Sequence, residues 1–130
     1  MAAIDFLDIH DLLEIGTALI PGFRVRDIGL LEAAAARPQT TVYGDDAYES
    51  FELKAASLLH SIARNHPLID GNKRLAWAAT RTFCLLNNYD IYNDVESAEK
   101  IVIGVAAGEL EVPAIAAGLD IRKSTKKNSR

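Results

Sequence analysis

Nine consecutive residues, His66, Pro67, Leu68, Ile69, Asp70, Gly71, Asn72, Lys73 and Arg74, bring together an imidazole, a carboxylate, a glycine, an amide and two cations. His66 can accept a proton near neutral pH without a large pKa shift, so it suits a base acting on an incoming hydroxyl. Asp70 is a hard oxygen ligand of the kind that holds Mg²⁺ against phosphates. Gly71 lets a phosphate approach the backbone with no Cβ in the way. The stretch opens a helical pattern, and unpaired N–H groups at a helix start favour an anion. Asn72 adds a side-chain donor. Lys73 and Arg74 place a movable point charge and a bidentate fork where negative charge would develop in a transition state. The reaction this set suits is phosphoryl or nucleotidyl transfer.

Each residue also has a plainer use. His66 suits a cap on the preceding helix C-terminus, and Asp70 suits an N-cap on the following helix. Taken singly, these are the commoner fates. The cation pair is different, because helix N-termini disfavour positive charge. Two cations there imply that an anion is expected. Other chemistries fail on spacing. His60 and His66 are six apart, His10 is remote, and no HxxxH or HExxH pattern exists to hold zinc. No GxxxxGK[ST] phosphate loop exists either. Cys84 and Trp77 lie in an apolar helical pattern and read as core, with the indole N–H needing a partner.

The elements that must position this loop are helical. Ile4 to Ala18 reads as a first helix capped by Asp5, with Phe6, Ile9, Leu12 and Leu13 on one face. Asp27 caps a second that runs to Arg37, where Pro38 stops it. Pro38 to Asp46 favours extended or looped backbone through Thr40, Thr41, Val42 and Tyr43. Ala47 to Asn65 is strongly amphipathic, with Tyr48, Phe51, Ala55, Leu58, Leu59 and Ile62 at helical spacing. Gly71 or Asn72 opens a helix to about Asn87 that is apolar nearly all round, so it is expected to be the buried centre. Asn93 with Glu96 suggests a capping box for a helix through Ala98, Ile101, Val102 and Val105, ended by Gly108. A last short helix starts near Pro113. The expected architecture is an all-α bundle of about six helices with at most a small β-hairpin.

Composition sets the outer limits. The chain of 130 residues, 49% of them hydrophobic, suits one domain with one core. We expect that domain over residues 1–121 and a basic tail over 122–130. No apolar run reaches the roughly 18 residues of a membrane span. The first residues lack a basic signal-peptide region. A lone cysteine leaves no disulfide framework. A cytoplasmic setting follows as the expectation. The net charge of −4 conceals an asymmetry: Arg122, Lys123, Lys126, Lys127 and Arg130 all follow the last acid, Asp120. The preceding body carries 9 basic and 18 acidic residues, a net of −9, and is a poor direct binder of nucleic acid.

The nine residues from His66 to Arg74 resemble the core motif of the Fic/Doc family, and the Doc branch most. The resemblance extends to Arg26, Asp27 and Gly29 to Glu32, to Lys54, Ala55, Ala56, Leu58, Leu59 and His60, and to Gly104 to Glu109. It implies a Fic/Doc-type six-helix bundle. It implies that His66 is the base on a target hydroxyl, that Asp70 holds Mg²⁺, that Gly71 and Asn72 form the anion hole, and that Arg74 binds phosphate. Family members that transfer AMP have glycine where this chain has Lys73, whereas the Doc branch has lysine. That difference implies transfer of the γ-phosphate of ATP, in the Doc branch to a threonine of elongation factor Tu with arrest of translation. AMP transfer by the Fic route and a catalytically inactive antitoxin-binding module are the alternatives. The resemblance also implies a Phd-like antitoxin whose C-terminal segment covers the site, with operator DNA reached only through that partner.

Two positions qualify the match. Leu68 stands where the family usually has phenylalanine, which keeps an apolar anchor of smaller volume. The self-inhibitory helix of some Fic proteins has no counterpart, which fits inhibition by a separate chain. Arg64, two residues before His66, fits either a phosphate contact or a solvated helix end. Pro38 to Asp46 fits either an ordinary connection or a flap that pairs with a target strand.

Overall fold

The computed structural model describes residues 3–124. Six α-helices make up the body: α1 Ile9–Leu19, α2 Ile28–Ala36, α3 Phe51–Asn65, α4 Asn72–Leu86, α5 Val95–Ala106 and α6 Val112–Leu119. Two short antiparallel strand pairs accompany them among the described residues. One pairs β1 Thr41–Val42 with β2 Asp45–Asp46, and the other pairs β3 Tyr89–Ile91 with β4 Ile121–Lys123. The mostly helical expectation stands, and no helix among the described residues is long and apolar enough to cross a membrane.

The central helix is α3, not the expected α4. It packs on α2, α4, α5 and α6, and even Lys54, Ser57 and Ser61 are buried on it. Periodicity could not show this, because Lys54 and Ser61 find partners outside the helix, on Asp46, Tyr48 and Arg37. Ser57 Oγ returns its hydrogen bond to the Lys54 carbonyl at 2.7 Å. In contrast, α4 leaves Leu85 and Leu86 exposed beyond the reach of its neighbours.

Three helix starts also shift. α1 begins after Asp8, which forms a reciprocal capping box with Asp11. Asp5 instead pairs its backbone N–H and C=O with the side-chain amide of Asn87. The segment around Asp5 and Phe6 thus packs on the end of α4, where Phe6 stacks on Phe83. α3 begins after Ser50, whose hydroxyl accepts from Leu53 N–H. α5 is capped by Asp94 through Ser97 rather than by an Asn93 and Glu96 box. In each case the stronger local acceptor sits one to three residues beyond the expected cap. β4 takes Arg122 and Lys123 into a strand beside Asp90 and Tyr89. Residues 125–130 of the expected tail lie outside the described residues.

The first hairpin is tied down by a buried ammonium. Lys54 Nζ donates to Asp46 Oδ2 at 3.1 Å and to the Tyr48 carbonyl. Both central residues of its turn, Tyr43 and Gly44, have positive φ, as a two-residue hairpin of this twist requires. Tyr43 is fully exposed at the tip. Beneath it, Arg37 joins Tyr48, His60 and Ser61: its guanidinium donates to Tyr48 Oη at 2.8 Å, to His60 Nδ1 at 2.8 Å and to Ser61 Oγ at 3.1 Å.

Candidate active site

The nine-residue segment links α3 to α4, the most extensively packed pair of helices. His66 terminates α3 in the left-handed region, at φ 52° and ψ 61°. That conformation is uncommon outside glycine, and a specific partner accompanies it. Arg26 Nε donates to the His66 carbonyl at 2.8 Å, and its Nη2 donates to the Asn65 carbonyl at 3.0 Å. The Pro67 carbonyl accepts from both Arg26 and Asp27 N–H, and Ile69 N–H donates to the Arg24 carbonyl. A β-bridge joins Val25 to Leu68 between them. Residues 24–27 therefore zip the loop onto the start of α2.

Leu68 anchors the loop as its apolar character implies: it is 1% exposed. Asn72 closes the loop from the other side. Its Oδ1 accepts from Leu68 N–H at 2.8 Å and its Nδ2 donates to the Leu68 carbonyl at 3.1 Å. The Asn72 side-chain amide thus holds the loop itself.

Gly71 is the N-cap of α4 at φ 87°. A Cβ there would meet Ile20 Cδ1 at 2.9 Å. No side chain caps α4, so the plainer reading of Asp70 as N-cap does not hold. The first-turn N–H groups, which a helix cannot satisfy internally, are left uncapped between Asp70 and the two cations. Asp70 and Lys73 are exposed and bond no other described residue. Arg74 reaches from α4 toward the C-terminal carbonyl of α1, with Nη1 3.5 Å from Leu19 O.

These residues help to line a cleft of about 670 Å³. Asp70, Gly71, Asn72, Lys73 and Arg74 line it together with Ile20, Pro21 and Trp77, and α5 supplies Val95, Ala98, Glu99, Val102 and Ile103 as the facing wall. His66 and Arg64 are not in that wall. His66 is exposed at the head of the loop. Arg64 is exposed and lies against Gly108, where a Cβ would come within 3.0 Å of its Cζ. Trp77 is half-buried: it packs against the core, as its position in α4 implies, and also lines the cleft that α4 shares with α5. Sequence reasoning gave no separate role to Arg26, Glu99 or Ile20. A usable signal existed only for Trp77, which is four residues after Lys73 and so on the same helical face.

The arrangement puts a carboxylate, an uncapped helix start and two cations on a small-molecule-sized cleft, with a candidate base, His66, exposed at the head of the same loop. A bundle carrying that constellation on a loop between its two longest helices is a group-transfer architecture. A model of the Fic/DOC family matches residues 3–84. The chain belongs to that family. It is similar, at 49% identity over 118 residues, to the protein named Toxin Doc of Mycolicibacterium smegmatis. The match spans 88% of this chain and 91% of that relative.

Proposed function

We propose that this chain is the toxin of a type II toxin–antitoxin module and a protein kinase, transferring the γ-phosphate of ATP to a threonine hydroxyl of elongation factor Tu and so arresting translation. The observation that carries this reading is Lys73, exposed and unpaired at an uncapped helix start within the cleft. A lysine at that point adds positive potential where AMP-transferring members of the family have glycine. The similarity to a protein named Toxin Doc supports the toxin assignment.

In this mechanism His66 takes the proton of the target hydroxyl. The hydroxyl oxygen bonds to the γ-phosphorus, the bond from that phosphorus to the β–γ bridging oxygen breaks, and ADP leaves. The N–H groups at the start of α4 and the Lys73 and Arg74 cations hold the transferring group. Asp70 would hold Mg²⁺. No cluster of three or more His, Cys, Asp or Glu side chains exists among the described residues. Mg²⁺ commonly takes one or two carboxylates and completes its shell with phosphates and water, so a single exposed carboxylate fits. When bound, the ion neutralises charge on the phosphates. A Phd-like antitoxin covering the cleft with its C-terminal segment would block all of these groups at once.

Radiolabelling tests the reading. Elongation factor Tu should take label from γ-labelled ATP and none from α-labelled ATP. Label from the α position alone would assign AMP transfer instead. Expression without antitoxin should arrest growth, and His66→Ala should abolish the arrest. Equal toxicity of the two would point to a binding module without chemistry.

A further inference from the structure

We propose that the cleft beyond the loop is a nucleobase subsite in which Trp77 is the stacking surface and Glu99 the polar contact. The inference rests on the nucleotide reading of the loop and names where the base of that nucleotide goes. The cleft lining is of two chemical kinds: Asp70, Lys73 and Arg74 are charged, whereas Trp77, Val95 and Ile103 are apolar. A nucleoside triphosphate has the same division, with a polyanion at one end and a flat aromatic ring at the other.

Trp77 lies outside the stacked aromatic run of the bundle. Phe6, Phe83, Phe51 and Tyr89 form a continuous run of ring contacts inside the bundle. Trp77 belongs to no such pair among the described residues, and its indole N–H bonds none of them. An unstacked, half-buried indole with a free donor is an unfinished contact. Across from it, Val95 is 78% exposed and Ile103 51% exposed, although both are apolar and both line the cleft. Exposed apolar groups rimming a concave surface mark a place for a ligand. Glu99, between them on α5, bonds no described residue. Its carboxylate can accept from an exocyclic amino group of a base. Trp77 follows Lys73 by four residues, so the stacking surface and the phosphate-binding cation share one face of α4.

Trp77 is the only tryptophan in the chain, so its fluorescence reports the subsite directly. The full-length protein should bind MgATP and inorganic tripolyphosphate in calorimetry, and only MgATP should change the Trp77 emission. Trp77→Leu, which keeps an apolar side chain, should weaken MgATP by about tenfold and leave tripolyphosphate unchanged. UTP, which lacks an exocyclic amino group, should bind more weakly than ATP. MgATP binding with silent fluorescence and an unaltered affinity in Trp77→Leu overturns the subsite while leaving the kinase reading intact. No MgATP binding at all overturns both.

Discussion

Arg26 holds the backbone of His66: its Nε lies 2.8 Å from the His66 carbonyl, across 40 residues of sequence. The same guanidinium takes the preceding carbonyl of Asn65 at 3.0 Å. The two bonds fix the last turn of α3 and the left-handed residue that follows it. Arg26 does not line the cleft, so its expected influence on the proposed chemistry is through the position of His66. Arg26→Ala should therefore lower the proposed phosphotransfer by about 100-fold, the cost of a roughly 1 Å misplacement, with little change in nucleotide affinity. Steady-state kinetics separating kcat from KM check this. A loss carried by KM for ATP alone would refute the positioning role.

Asn72 and Leu68 form the second clamp on the loop. Asn72→Ala leaves both backbone polar groups of Leu68 unpaired in a partly buried place. Unfolding in guanidinium should show a loss of about 1–3 kcal/mol. Asn72→Asp keeps the acceptor for Leu68 N–H but not the donor, so its cost should be smaller than that of alanine.

The β1–β2 hairpin is anchored asymmetrically. The Lys54 side chain is 4% exposed and that of Asp46 56%. Lys54→Ala strips partners from Asp46 and from the Tyr48 carbonyl together, and should cost about 1–3 kcal/mol. Asp46→Ala should cost no more than about 1 kcal/mol, as for solvent-exposed ion pairs. Equal losses in thermal unfolding would show that the exposed carboxylate, not the buried ammonium, holds the hairpin.

His60 gives the fold an acid-sensitive point. Burial and the neighbouring Arg37 guanidinium depress its pKa below 6.5, against the opposing pull of Glu111. Arg37 donates to Nδ1, which keeps the ring neutral with its proton on Nε2. The unfolded chain binds the extra proton more readily, so this contribution is present above pH 6.5 and is lost as pH falls through the lower folded value. Stability measured from pH 7.5 down to pH 5 should fall more steeply for the wild type than for His60→Gln.

Cys84 behaves oppositely. Burial, reinforced by Asp90, pushes its thiol up to about 12 from 9.0. The neutral thiol is favoured in the fold, so its contribution is complete below pH 9 and disappears between pH 9 and about 12. A thiol-specific reagent at pH 8 should leave the native protein unmodified and label it once it is unfolded. Rapid labelling of the native chain would contradict the burial.

Several local features were legible in the sequence, because a cap, a proline or a glycine acts on its own neighbours. Asp27 caps α2, Pro113 opens α6, Gly108 closes α5, and the Gly71 turn begins α4. The helix starts that were misplaced lost to competing acceptors. Asp8 has Asp11 three residues on, and Ser50 has the Leu53 N–H. Asp5 had no helix to cap because Asn87, 82 residues away, takes its backbone.

By itself the sequence determined which groups are present and in what order: a base, a carboxylate, a glycine turn, an amide and two cations at one helix start, within a chain of helical periodicity. Residue types and short spacing set those properties. The tertiary structure decided which of the groups are free. It committed the Asn72 amide to the loop, released Asp70 from capping, supplied Arg26 from α2, and placed Trp77 on the cleft that α4 shares with α5. Those outcomes turn on contacts between segments tens of residues apart, where packing rather than local spacing selects the partner.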